Sequence, residues 1–199
     1  MKKVLIAALP LAALLSFTMF DSLPIGSPMP MADKKLKDIS GKEVELKDTK
    51  GKNGLLVMFS CNTCPFVIKN QQRTKEIAAY AQSKGFGVAV LNSNEAYRDG
   101  VDSYAEMKEY AKEQGYSWNY LLDNNSEIAN AFGANRTPEC FLFDKDLKLV
   151  YHGAIDNNPS DESNVTRKHL QIAIDETEEG KAVSMSETKS VGCGIKRKP

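Results

Sequence analysis

What the chain lacks narrows its chemistry. Neither charge sign is in excess: 26 basic and 26 acidic residues balance. No basic surplus argues for a nucleic-acid partner, and no acidic block argues for disorder. Cysteines are scarce and scattered, at Cys61, Cys64, Cys140 and Cys193, which excludes a disulfide-stapled miniprotein. Histidines are scarcer still, His152 and His169 alone. A zinc site on Cys61 and Cys64 would need two more ligands, and no remaining cysteine or histidine has paired spacing. No metal and no cofactor are expected. Internal repeats and low-complexity blocks are absent.

The amino terminus carries a different signal. Lys2 and Lys3 precede an apolar run from Val4 to Phe17, extended by Met19 and Phe20. A positive start before a short apolar stretch is the pattern of a secretory signal peptide. An Ala-x-Ala cleavage site is missing. The run also approaches the roughly 17 residues that span a bilayer. A cleaved signal and an uncleaved membrane tether through residues 4–20 therefore both stay open. Either predicts an exported protein, periplasmic or extracellular. Asp21 to Met31, rich in Pro, Gly, Ser and Met, reads as linker. The expected division is 1–31 as signal or anchor plus linker, 32–183 as one globular domain, and 184–199 as a polar tail carrying Cys193. With 42% hydrophobic residues the chain can build a core.

Pattern along the domain predicts alternating strands and helices. Lys35 to Leu46 reads as a hairpin turning at Ser40-Gly41-Lys42. Gly54 to Ser60 and Phe86 to Leu91 are continuous apolar runs, fitting strands buried on both faces. Helices are expected from Asn62 to about Ser83, Ser103 to Gln114, Ser126 to Phe132 and Asp161 to Thr177. Ser103 and Glu106 have capping-box spacing, and Gly115 ends that helix. Ser117 to Leu122 is a further strand. Glu139 to Phe143 and Lys148 to His152 pair around Asp144-Lys145-Asp146. The order implies an α/β domain with a mixed central sheet flanked by helices and an amino-terminal hairpin.

Cys61-Asn62-Thr63-Cys64 falls where a buried strand hands over to a helix. Two intervening residues let both sulfurs lie at the first turn. Unpaired N–H groups and the positive end of the dipole then favour thiolate on Cys61. Pro65 fits the same turn, where a missing N–H costs little. A purely structural disulfide across so short a loop would stabilise little. Activation by pKa alone is modest. Lowering a thiol from about 8.5 to about 7 raises its thiolate fraction at pH 7 roughly 15-fold. The accompanying loss of nucleophilicity takes back about 5-fold. The larger benefit is to Cys61 as a leaving group, with Cys64 positioned to resolve.

Thr137-Pro138-Glu139 opens a strand far along the chain, where a proline belongs at a strand start or edge. Together, FSCNTCPF at 59–66 and RTPECFLFD at 136–144 resemble the thioredoxin-like redoxin superfamily. More narrowly they resemble its peroxiredoxin-like branch, related to alkyl hydroperoxide reductase and thiol-specific antioxidant proteins. YLLDNNSEIANAFGA at 120–134, VYHGAIDNN at 150–158 and GCGIK at 192–196 extend the resemblance. It implies a thioredoxin fold over roughly residues 28–196, a redox Cys61–Cys64 pair and a cis Pro138 preceded by Thr137. The chain also departs from its relatives. No tryptophan precedes the motif, and no acidic residue lies in Gly54 to Ser60. The Pro-x-x-x-Thr/Ser-x-x-Cys pattern of dedicated peroxiredoxins is missing around both cysteines.

The expected activity is thiol–disulfide exchange with protein or small-molecule thiols and disulfides. An upstream thioredoxin-like protein is the expected electron donor. The alternatives are a thiol peroxidase, of weak turnover at most, and a non-catalytic binding module on the same fold. Cys140 reads as a small buried hydrophobe. Cys193, between two glycines of a polar tail, either bonds Cys140 or reaches the Cys61–Cys64 pair as an accessory redox thiol, the second being favoured. His152 and His169 read as surface residues, and Trp118 and Tyr120 as packing residues.

Overall fold

The computed structural model describes residues 22–198, and the apolar segment 4–20 lies outside them. Strands β1 (Lys35–Asp38) and β2 (Glu43–Glu45) form the amino-terminal hairpin. Then follow β3 (Gly54–Ser60), α1 (Pro65–Lys69), α2 (Gln71–Ser83), β4 (Phe86–Asn92), α3 (Tyr104–Gln114) and β5 (Asn119–Leu122). The second half contains α4 (Glu127–Phe132), β6 (Arg136–Thr137), β7 (Glu139–Asp144), β8 (Leu149–Gly153), α5 (His169–Glu178) and β9 (Cys193–Gly194). Seven strands make one mixed sheet in the order β2-β1-β5-β4-β3-β7-β8. The β3–β4 and β4–β5 pairs are parallel; the others are antiparallel.

The apolar run of β3 is explained by cover on both faces. Leu56 and Met58 pack with Ile77 and Ala78 of α2 and Leu170 and Ile174 of α5. Leu55, Val57 and Phe59 face the other way, toward Ile128 and Phe132 of α4. All seven β3 residues are buried. Phe132 meets Phe59, Phe141 and Phe143 edge-on, with centroids 5.2–5.6 Å apart. That cluster lies directly behind the strand that delivers Cys61.

Several boundaries differ from expectation, each for a local reason. The helix expected from Asn62 begins only at Pro65, because a residue before proline is kept out of the helical region; Cys64 is extended, at φ −65° and ψ 125°. Asn70 then separates α1 from α2, its side chain donating to the Phe66 carbonyl oxygen at 2.7 Å. The helix expected from Asp161 starts at His169. Its would-be first turns are held otherwise, with the Asn157 side-chain oxygen accepting from Thr166 N and Arg167 N. Ser103 does cap α3, accepting from Glu106 N at 3.3 Å, and Gly115 ends it at φ 68°. Residues 22–31 are packed rather than a free linker. Met29 is buried, and backbone bonds join Leu23 to Phe132, Gly26 to Leu149 and Met29 to Leu147.

The loop after β8 is fastened beside the site by a buried ion pair. Arg73 of α2 donates to Asp156 at 2.6 Å and to the carbonyl oxygens of Asn158 and Pro159. Among the described residues no helix is long and apolar enough to cross a membrane.

The aromatic cluster generates a stability prediction. Phe132→Ala should destabilise the fold by about 3–5 kcal/mol through lost burial and a residual cavity. Urea denaturation checks this, and a loss within the error of the midpoint would contradict the packing described.

Candidate active site

The Cys61-Asn62-Thr63-Cys64 loop is fixed by a buried polar network. Asp102 is fully buried and accepts from Asn62 N at 2.9 Å, from Asn92 Nδ2 at 2.7 Å and from Asn94 Nδ2 at 2.9 Å. Asn62 also donates to the Val101 carbonyl oxygen, and its side-chain oxygen accepts from the Tyr120 hydroxyl at 2.8 Å. Asn62, the first of the two residues between the cysteines, is thus tied to β5 and the turn before α3, and through Asp102 to β4.

Thr137 closes the site from the other side. Its peptide bond to Pro138 is cis. The Thr137 hydroxyl lies 3.6 Å from the Cys61 sulfur, and its carbonyl oxygen lies 3.3 Å from the Cys64 sulfur. Behind it, the buried Glu139 carboxylate accepts from Asn135 N and Arg136 N, each at 2.8 Å. Its other oxygen meets His152 Nε2 at 2.6 Å. His152 is therefore not a surface residue. It is stacked on Phe141 at 4.3 Å and also bonded to Ser22.

The tail, expected to have little order of its own, runs across this site. β9 pairs antiparallel with β6, with Thr137 opposite Cys193 and Arg136 opposite Gly194. Cys193 is disulfide-bonded to Cys64, leaving Cys61 and Cys140 as buried free thiols. Cys140 is fully buried in β7 and takes no part in the cluster of Cys61, Cys64, Val67, Phe66 and Cys193.

Burial reverses the expected charge state of Cys61. The residue is 1% exposed, and this desolvation pushes its thiol above the ordinary range. The Thr137 hydroxyl and the N–H groups of Cys64 and Thr63 pull it down, and the Asp102 charge pushes it up. The donors at the helix start are present, as the sequence suggested, but loss of water outweighs them. Cys61 is consequently a protonated thiol at neutral pH in this disulfide state.

A model of the Redoxin family matches residues 24–168 of the chain. The chain belongs to the Redoxin family. This redoxin is similar to the thiol–disulfide oxidoreductase ResA of Bacillus thuringiensis, 28% identical over 134 residues, 67% of this chain and 72% of that protein. It resembles two solved structures over nearly their whole length. A hypothetical protein of Sinorhizobium meliloti is 34% identical, with a TM-score of 0.80 over 89% of this chain and 97% of the other. An uncharacterised conserved protein of Geobacillus kaustophilus is 37% identical, with a TM-score of 0.81 over 92% and 95%. The thioredoxin domain of a Bacteroides vulgatus thiol–disulfide oxidoreductase shares the fold, at 24% identity and a TM-score of 0.55 over 67% and 90%.

Sequence reasoning missed Asp102, Asn92, Asn94 and the Glu139–His152 pair. Asn92 and Asn94 carried a usable signal, as polar residues at the carboxyl end of an apolar strand, where sites on open α/β sheets form. Asp102, in a polar turn, gave none.

Two outcomes follow for Asp102→Asn. Removing the charge should shift the pH profile of Cys61 alkylation to lower pH. Replacing one acceptor oxygen by an amide opposite a donor should cost about 1–3 kcal/mol. For the wild type the raised thiol pKa has a fixed sign: the folded form holds its proton longer than the unfolded chain. That contribution is complete below the ordinary thiol pKa and is lost as pH rises above it. Iodoacetamide labelling across pH, read by mass spectrometry, tests the profile; an unchanged profile in the variant would refute the electrostatic role.

Proposed function

We propose that this redoxin exchanges disulfides with protein and small-molecule thiols through Cys61 and Cys64, with Thr137 and Pro138 forming the wall against which the sulfurs react. The protein is a thiol–disulfide oxidoreductase. The observation that carries the residue assignment is the contact of Thr137 with both sulfurs, one of them already joined to a cysteine 129 residues away. Exchange proceeds by a thiolate attacking one disulfide sulfur in line with the departing one. The Thr137 hydroxyl supports a thiolate on Cys61, and the Thr137 carbonyl oxygen accepts from Cys64 once that sulfur is reduced and protonated. Peroxide reduction is disfavoured by the missing Pro-x-x-x-Thr/Ser-x-x-Cys pattern around Cys61 and Cys64. The lysine-led apolar segment supports export, with residues 4–20 as signal or tether. An exported thiol enzyme that works as a reductant needs an upstream donor, and a thioredoxin-like dithiol protein fits.

The test is insulin reduction with dithiothreitol, corrected for the uncatalysed rate. The Cys61→Ser/Cys64→Ser double variant should lose about 100-fold or more in turnover, because the covalent path is gone. A double variant as active as the wild type would overturn the assignment.

A further inference from the structure

Cys193 has a built seat. Upstream of it, Thr188 N donates to the His152 carbonyl oxygen at 2.9 Å, and the Thr188 hydroxyl accepts from Ala154 N and bonds the Tyr151 hydroxyl at 2.7 Å. Downstream, Ile195 is buried and its N–H donates to the Asn135 carbonyl oxygen at 3.1 Å. Lys196 N donates to Asn94 Oδ1 at 2.9 Å, and the Arg197 guanidinium donates to Asn130 Oδ1 at 2.7 Å and to the Ala134 carbonyl oxygen at 2.6 Å. All of these bonds are independent of the disulfide, so cleaving Cys64–Cys193 leaves both flanks of Cys193 fastened. Between them, Gly192 lies so close to Thr137 that a Cβ would stand 2.1 Å from the Thr137 carbonyl oxygen. No side chain fits there without a backbone shift.

We propose that Cys193 is the outward-facing sulfur of a three-thiol relay, the one that meets external thiols and disulfides, with Cys64 passing the disulfide between Cys193 and the buried Cys61. This rests on the function proposed above and names the sulfur that the partner touches. Exposure decides it. Cys61 is 1% exposed and Cys64 4%. Cys193 is partly exposed, two residues after the exposed Val191. A partner too large to enter the core reaches Cys193 first.

The steps balance as thiol–disulfide exchange. A thiolate of a partner dithiol attacks the Cys193 sulfur. A partner–Cys193 bond forms, the Cys64–Cys193 bond breaks, and Cys64 leaves with the electron pair and takes up a proton. The partner's second thiol then displaces Cys193, and the partner departs as a disulfide. In reverse, reduced Cys193 attacks a substrate disulfide and Cys64 resolves it. Internally, Cys61 loses its proton and attacks Cys64; the Cys61–Cys64 bond forms, and Cys193 leaves with the electrons and gains the proton. That last exchange changes no oxidation state and frees Cys193.

The test uses the full chain. Oxidised Cys61→Ser, holding only the Cys64–Cys193 bond, is treated with one equivalent of isotope-labelled glutathione, quenched in acid and mapped by peptide mass spectrometry. Label should fall on Cys193 at least about tenfold over Cys64. Cys193→Ser should lose at least about tenfold in insulin reduction while diamide still oxidises Cys61 to Cys64. Gly192→Ala, with every cysteine present, should lose activity in the same direction. Label on Cys64, wild-type turnover in Cys193→Ser, or a Cys64–Cys193 bond that resists dithiothreitol in the folded protein would each overturn the relay. Failure of the relay is separable from failure of the function. A Cys193→Ser enzyme at the wild-type rate refutes only the relay; an active Cys61→Ser/Cys64→Ser double variant refutes the exchange centre itself.

Discussion

Thr137 offers its hydroxyl to Cys61, its carbonyl oxygen to Cys64 and its backbone to the strand carrying Cys193. Three sulfurs from two distant parts of the chain meet at one residue, so its placement sets the geometry of the site. That placement is over-determined. Glu139 grips the N–H groups of Asn135 and Arg136, and His152 grips Glu139 in turn. On the opposite side, Asp102 and Tyr120 hold Asn62 between the cysteines. Each wall of the site is thus tied by buried polar groups to the central sheet. Buried carboxylates are costly unless satisfied; here each accepts several bonds, and the cost is offset where rigidity matters.

Charge at Cys61 is settled by a contest between the helix start and burial. Backbone N–H groups and the Thr137 hydroxyl favour the thiolate, whereas exclusion of water favours the thiol. With the tail seated, burial wins. The tail contributes to that burial, since Cys193 packs on the same small cluster as Cys61. Cover and reactivity are therefore linked: any displacement that admits water beside Cys61 relieves the largest of the effects raising its pKa and leaves the donors in place. A buried cysteine of this kind is held in reserve by its surroundings rather than by a poor intrinsic position.

The alternating apolar and amphipathic stretches made the sheet and its helices legible, because a strand covered on both faces must be apolar throughout. The cysteine spacing and Thr137-Pro138 were legible because each residue type has a narrow use at such positions. Less legible was what depends on tertiary partners. Nothing local marks Asp102 as buried, or His152 as the partner of a carboxylate. The tail misled for the same reason: its lysines suggested solvent, yet Ile195 is buried and the backbone of 194–196 finds acceptors and donors on loops more than 50 residues away. The expectation of a linker at 21–31 misled likewise over its described part, since Pro, Gly and Ser in 22–31 serve a packed, turn-rich course over α4 and β8.

A disulfide spanning 129 residues also bears on folding. In the chain-entropy account a cross-link of that span restricts the unfolded chain by about 5 kcal/mol, whereas a Cys61–Cys64 bond closes too short a loop to restrict it much. Linkage makes the relation mutual: whatever the long-range bond contributes to folding, folding contributes to the bond. Folding therefore offsets, for Cys64–Cys193, the loop-closure cost that the unfolded chain sets against so long-range a bond. Flanks fastened on both sides of Cys193 act in the same direction by keeping its sulfur at high effective concentration beside Cys64. Moving the disulfide inward to Cys61 must overcome that bias and the protonation of a buried thiol together. The bond seen here joins the partly exposed Cys193 to Cys64 and leaves Cys61, the most deeply covered of the three, free, which is the arrangement a large partner can reach.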